Sequence, residues 1–310
     1  MLSMARLILE RYGVHGSRLR LLQADRQIVY EVFHRSGRFI LRLYPPGTID
    51  PGVVRSQCVW LRALAKDTKL SVPEPVASDT GDDVVAARDG DPRRWHATLT
   101  RRVPGRPRFK PTGPGTAVMR QVGRLMATLH EHGRRFKPPR GFRFRRWDFD
   151  GLFGDSSPWR PVRAMRIDAP TRRLFARVMR RVCRVMRDLG RGPDVFGLIH
   201  ADLTQANYVM HRGRVHAIDF GDFGRGYFLY DLAVTLLMIR PFDKDGRQRA
   251  SLIAGYREVR PLTVEHEALL DTFIAARAVA LARWIFGARE PGEGDLRWAM
   301  ATMEWVERIV

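Results

Sequence analysis

A length of 310 residues, with 45% hydrophobic and 28% charged positions, suits a soluble globular chain of about two domains and excludes a fibrous or disordered one. The opening MLSMARLILERYG lacks the apolar core of a signal peptide, and no run approaches the ~20 apolar residues that span a bilayer. Two cysteines, Cys58 and Cys183, make neither a disulfide framework nor a metal-spacing pattern, so a reducing cytoplasm and no membrane association are expected.

The net charge of +21 raises the question of nucleic-acid binding, because clustered cations gain from counterion release. Almost all of the positive charge is arginine, spread from Arg6 to Arg308. In the densest run, TRRLFARVMRRVCRVMRDLG, Leu174, Phe175, Val178, Met179, Val182, Val185, Met186 and Leu189 recur at helical spacing. Most of its arginines fall between them, on a solvated face. Nucleic acid is therefore not expected as a partner.

Along the chain, IVYEVFH and RFILRLY are rich in β-branched and aromatic residues, and Ser36-Gly37 between them signals a hairpin turn. Asp50 and Pro51 then read as the N-cap and first position of a helix with Val54, Cys58, Leu61 and Leu64 on its inner stripe. Strands are predicted near Val84–Ala87 and Trp95–Arg101. The Pro/Gly-rich PGRPRFKPTGPG marks a boundary, after which the pattern turns mostly helical, at about 115–132, 170–189, 229–240, 246–257, 263–287 and 295–309. Short extended pieces, VFGLIH, NYVMH and RVHAIDF, interrupt that half.

Those pieces carry LIHADLTQANYV and AIDFGDFG. Asp202, with the Asn207 amide five residues on, shares one loop, and Asp219 follows an apolar strand. Half-buried carboxylates cost several kcal/mol unless something charged or hydrogen-bonding meets them. Phosphoryl transfer from a nucleotide uses such parts: a carboxylate for the acceptor hydroxyl, hard oxygen ligands for magnesium, and cations for the charge on the phosphoryl oxygens. Capping or turn roles for the two aspartates are the bland alternative, which a lone His-x-Asp would favour.

The Asp-x4-Asn loop and the Asp219-Phe220-Gly221 triplet resemble the protein-kinase pattern. The His200-x-Asp202 form, with IDFGDFGRGYFLYDLA, more closely resembles the aminoglycoside phosphotransferase and homoserine/choline kinase superfamily. LRLYPPG, SVPEPV, LTRRVPGR, LMATLHEH and GYREVRPL extend the similarity along most of the chain. The resemblance implies an α+β, two-lobed protein-kinase-like fold. A small β-rich nucleotide-binding lobe would span 1–102 and a larger, mostly helical catalytic and substrate lobe 103–310, with the nucleotide between them.

The same resemblance implies a Mg-ATP-dependent phosphotransferase acting on a hydroxyl of a small metabolite, either homoserine-like or amino-alcohol-like, or on an aminoglycoside. Asp202 would be the catalytic base or hydroxyl-orienting carboxylate, and Asn207 and Asp219 the Mg2+ ligands. His200 would fix the loop, Asp231 would brace it, and Asp222 would add charge without ligating metal. Arg42 stands where kinases carry the strand lysine, and its fork preserves the charge toward phosphate. The adenine would rest against the crossover at Thr100 and Val103.

Two positions depart from the family pattern. Gln57 replaces the expected helix glutamate, leaving a neutral amide to meet Arg42. LLQADRQIVYEV has no glycine where a phosphate-covering loop belongs, so the amides of Ala24 to Gln27 would approach phosphate less freely. These departures motivate a second reading, a weak or silent nucleotide-binding regulator of the same fold. A stress-response-type Ser/Thr protein kinase and a basic nucleic-acid binder complete the rivals. The oligomeric state is not specified by the sequence.

Overall fold

The computed structural model describes residues 1–88, 94–106, 113–154, 157, 162, 165, 167–287 and 292–309. Helix α1 (Leu2–Arg11) precedes strands β1 (Arg18–Ala24), β2 (Ile28–His34) and β3 (Gly37–Tyr44). Helix α2 (Pro51–Asp67), β4 (Val84–Ala87) and β5 (Trp95–Arg101) follow. The five strands form one antiparallel sheet in the order β1-β2-β3-β5-β4. The expected hairpin is β2–β3, with His34 opposite Gly37 across the turn.

Helix α2 begins as its sequence dictates: the Asp50 carboxylate accepts the Gly52 N–H at 2.8 Å, and Pro51 occupies the first turn. Its Val54 packs against Tyr44 and Val84. Helix α1 has no counterpart in the sequence reading. Its Met4, Ala5, Ile8 and Leu9 join a core with Val32, Leu41 and Leu99 of the sheet. The stripe covers barely three turns, so tertiary burial sustains the helix where propensity alone would not.

The glycine-free stretch is also structured. It forms the β1–β2 hairpin, with a register irregularity between Leu21 and Gln23. Strand β1 is almost wholly exposed, Leu21 and Leu22 included, so no alternating burial announced it. In its turn the Asp25 N–H donates to the Gln27 carbonyl at 3.2 Å.

The second half opens with α3 (Thr116–Arg135), β6 (Arg145–Trp147), α4 (Phe149–Phe153) and α5 (Ala169–Leu189). Strands β7 (Phe196–Ile199), β8 (Tyr208–His211), β9 (Arg214–Ala217) and β10 (Gly224–Tyr227) come next. Helices α6 (Phe228–Ile239), α7 (Arg247–Arg257), α8 (Val264–Ala268), α9 (Leu270–Gly287) and α10 (Glu293–Ile309) complete the chain. The three extended pieces expected from the sequence are β7, β8 and β9. The boundary segment PGRPRFKPTGPG falls partly outside the described residues.

The single helix expected over 263–287 is two. Thr263 does cap its start, its hydroxyl accepting the His266 N–H at 3.2 Å. The Leu269 amide then closes onto the His266 carbonyl at 3.1 Å, three residues back, and ends α8 in a tightened turn.

The chain divides into two compact units. One holds Met1–Arg106, Lys137–Phe144 and Val209–Gly221; the other holds the described residues of 107–136, 145–208 and 222–310. The first is the sheet-rich part, with the β8–β9 hairpin, and the second is largely helical, as the α+β expectation required.

Helices α3 and α7 of the second unit approach through glycine. A Cβ built at Gly255 would lie 1.9 Å from the Arg120 carbonyl oxygen, and one at Gly123 would lie 2.0 Å from that of Leu252. Backbone cannot yield as a flexible side chain would. Gly255→Ala is therefore expected to force the helices apart and cost about 1–3 kcal/mol, measurable as a lowered urea midpoint with an unchanged m-value.

Candidate functional site

Of the candidate residues in the second unit, His200, Asp202 and Asn207 lie between β7 and β8. Asp231, fully buried in the first turn of α6, accepts the backbone N–H of His200 at 3.0 Å and of Ala201 at 2.7 Å. It also pairs with His130 Nε2 of α3 at 3.0 Å, and His130 Nδ1 meets the Tyr256 hydroxyl at 2.9 Å. Two α6 side chains thus grip the loop backbone, because Thr235 Oγ1 donates to the Leu203 carbonyl at 2.6 Å. Ala201 sits at φ 65°, a conformation an alanine adopts at a cost. Its amide is the one held at 2.7 Å.

Burial pushes the His130 imidazole below its ordinary range, outweighing the upward pull of Asp231, so the ring is neutral and donates from Nε2. Burial alone would raise the Asp231 carboxyl. The hydrogen bond from His130 leads the interactions with His130 and His200 that offset it and hold Asp231 below the usual carboxylate range.

A pH dependence follows. A histidine whose folded pKa is depressed leaves the unfolded chain the better proton binder, so its stability contribution is complete above about pH 6.5 and declines as pH falls below it. His96 and His216 are also depressed by burial and add to that slope. The thermal midpoint is expected to fall between pH 7 and pH 5 more steeply in the wild type than in His130→Gln. Parallel profiles would contradict the neutral assignment.

Asp202 is held on both carboxylate oxygens. Asn207 Nδ2 donates to its Oδ2 at 2.7 Å and to its backbone carbonyl at 2.7 Å. On the other side, Arg277 Nη2 of α9 donates to Oδ1 at 2.7 Å. The Asp202 N–H donates to His200 Nδ1 at 3.3 Å. His200, Asp202, Asn207 and Asp231 therefore form one hydrogen-bonded group. Asp222 of the same unit makes other bonds, its carbonyl accepting from Trp147 Nε1 at 2.8 Å and its carboxylate lying 3.6 Å from Arg145 Nε, while its charge acts on Arg277 and Tyr230.

In the first unit, the β8–β9 hairpin leads into Asp219, which has φ 59°. That left-handed conformation is one aspartate tolerates. Asp219 Oδ1 accepts from Arg42 Nη1 at 3.0 Å and, more weakly, from the Gly221 amide at 3.4 Å. Arg42 sits mid-β3, opposite Thr98 and Val29. Its burial opposes the charge, but Asp219 outweighs that and lifts the guanidinium above its ordinary value. Phe220 packs edge-on to Trp60 of α2, with centroids 5.7 Å apart.

Gln57 is buried on the inner face of α2, and the hydrogen-bond partner of Arg42 is Asp219 instead. Thr100 is buried in β5, and Val103 is buried just beyond it.

Arg277, His130 and Tyr230 were missed at the sequence level. Arg277 had a signal: in LDTFIAARAVALARWIFG it is a charge within an apolar helix, which calls for a buried partner.

Among the described residues no group of three or more His, Cys, Asp or Glu could hold a metal ion, and no helix is long and apolar enough to cross a membrane.

Comparison with known proteins bears on the family. Amicoumacin kinase of Bacillus subtilis (strain 168) is 25% identical over 230 residues, covering 73% of this chain; the chain spans only 64% of that relative's length. A homoserine kinase of Gluconacetobacter diazotrophicus is 31% identical over 259 residues, covering 78% of this chain and 72% of the relative. Among solved structures, a microcompartment-associated aminopropanol kinase superposes with a TM-score of 0.87 at 29% identity, covering 99% of this chain and 97% of that one. The description "Phosphotransferase enzyme family" matches residues 21–269, and the chain belongs to that family, as the Asp-x4-Asn and Asp-Phe-Gly elements implied.

Proposed function

We propose that this protein transfers the γ-phosphoryl group of ATP to the hydroxyl of a small amino alcohol or a homoserine-like metabolite. The observation that carries this reading is Asp202, whose two oxygens are held by Asn207 and Arg277 on a loop anchored by Asp231. Kinase relatives named for aminopropanol and homoserine favour a small hydroxylated acceptor. Aminoglycosides are the narrower possibility.

In this scheme Asp202 orients the acceptor O–H toward the γ-phosphorus. The new O–P bond forms as the bond to the β–γ bridging oxygen breaks. ADP leaves with that electron pair, and the hydroxyl proton passes to the Asp202 carboxylate. Arg42, paired with Asp219 and carrying a bidentate fork, is assigned to phosphate. Thr100, buried in β5, and Val103, buried just beyond it, are assigned to the nucleobase.

The donor chemistry suits magnesium. Asn207 spends its amide nitrogen on Asp202, which leaves its oxygen as the acceptor end, and Asp219 is a carboxylate. Few protein ligands, with the rest from phosphate and water, is the usual magnesium arrangement. Asn207 and Asp219 are the residues that would hold the ion. When bound, it supplies charge neutralisation on the phosphate oxygens.

The decisive experiment follows ADP release with magnesium-ATP across a panel of amino alcohols, homoserine and aminoglycosides. Mass spectrometry of the acceptor should show the gain of one phosphate. Turnover of one small acceptor that disappears in Asp219→Asn supports the reading. Nucleotide binding without turnover of any panel member would replace it with the silent regulator that Gln57 and the glycine-free turn suggest.

A further inference from the structure

We propose that Arg277 is a positioning residue for phosphoryl transfer, locking the side chain of Asp202 into the one orientation that meets the acceptor hydroxyl. This rests on the reading of Asp202 given above. Arg277 lies 75 residues beyond Asp202, in the interior of α9, and is 6% exposed. A guanidinium taken that far out of water needs a compensating charge. Among the described residues, Asp202 is the carboxylate within ion-pair reach of it, with Oδ1 at 2.7 Å. Burial works against the charge, and the Tyr230 hydroxyl and Asp202 together lift it well above its ordinary value, so Arg277 is permanently cationic.

The arrangement is specific in geometry as well as charge. Arg277 Nη1 reaches the Tyr230 hydroxyl at a long 3.5 Å. Tyr230 is itself fully buried and stacks on Trp147 with ring centroids 5.6 Å apart. Adjacent residues at the start of α6 therefore serve the two parts of the same loop. Asp231 fixes its backbone, and Tyr230 backs the arginine that fixes its carboxylate. With Asn207 on Oδ2 and Arg277 on Oδ1, both Asp202 oxygens are held, while 28% of that side chain stays exposed for an acceptor. Catalytic groups need such placement, because a misplacement of about 1 Å costs roughly 100-fold in rate.

Arg277 also places a cation 2.7 Å from an Asp202 oxygen. A lysine at the same position would keep the charge but lose the fork that spans Tyr230 and Asp202. The conservative variant therefore separates charge from geometry.

The test uses the full chain with Arg277→Met and Arg277→Lys, alone and combined with Asp202→Asn. Arg277→Met should lower kcat about 10- to 100-fold while leaving the dissociation constant for the nucleotide within about twofold. Arg277→Lys should recover part of the loss. In the Asp202→Asn background, Arg277→Met should cost nothing further. Three results would overturn the proposal: kcat within twofold of wild type in Arg277→Met, equal weakening of nucleotide binding and turnover, or full additivity with Asp202→Asn.

A second arm needs no turnover. In thermal melts the double variant should be at least as stable as Asp202→Asn alone, since removing both charges leaves none stranded. A crystal structure of Arg277→Lys, or of Arg277→Met, should show Asp202 in more than one rotamer. Additive melting losses with Asp202 unmoved would refute the positioning role. A wild-type chain that phosphorylates nothing would instead refute the proposed function and leave this arm to decide the Arg277–Asp202 coupling.

Discussion

Asp202→Asn is expected to lower kcat by about 10²–10⁴-fold, the range that a positioned proton acceptor supplies. The substitution keeps the volume of the side chain and one oxygen to orient a hydroxyl. It removes the negative charge that, in the proposed reaction, draws the acceptor proton. Nucleotide binding, measured by calorimetry with a non-hydrolysable analogue, should change by less than about threefold, because Arg42, Thr100 and Val103, the residues proposed to meet the nucleotide, are untouched. The folded state pays a smaller penalty. Arg277 loses its counter-charge, but Asp202 is partly exposed and water can compensate, so the loss is about 1–3 kcal/mol, below that of a fully buried pair. A variant that keeps more than a tenth of wild-type kcat would remove Asp202 from the chemistry.

The largest stability effect is expected at Asp231. Its carboxylate is fully buried and accepts from two loop amides and from His130. Asp231→Asn presents one acceptor oxygen where two were used and turns an N–H group toward a donor. At least one buried amide or the imidazole is then stranded, at about 1–3 kcal/mol for each unmet group. With the lost charge-assisted bonds the total reaches roughly 3–5 kcal/mol, or about 10 °C in thermal midpoint for a chain of this size. Because the released loop carries Asp202, activity should fall even below the melting transition. An Asp231→Asn protein that melts within about 2 °C of wild type would show that these bonds do not carry the stability assigned to them.

These expectations draw unequally on the chain. Helix α2 was legible to the residue, since Asp50, Pro51 and the stripe from Val54 to Leu64 encode its start and its buried face through contacts no more than a few positions apart. The β2–β3 hairpin and the three short strands around the loop were legible for the same reason. The Asp202, Asn207 and Asp219 pattern was visible because its members lie within eighteen positions and carry a recognisable chemistry. Strand β1 was not, because an exposed edge lacks the alternation that marks a half-buried one.

The sequence by itself therefore determined most of the local elements, the family, and the Asp202, Asn207 and Asp219 part of the candidate site, all of which are written in short-range spacing. Tertiary structure alone decided which side chains meet across long separations: His130 with Asp231, 101 residues apart, and Arg277 with Asp202, 75 residues apart. No periodicity encodes such pairs. They exist because packing α3, α6 and α9 around the loop takes charged groups out of water, and each must then find the partner that the fold brings within hydrogen-bond reach.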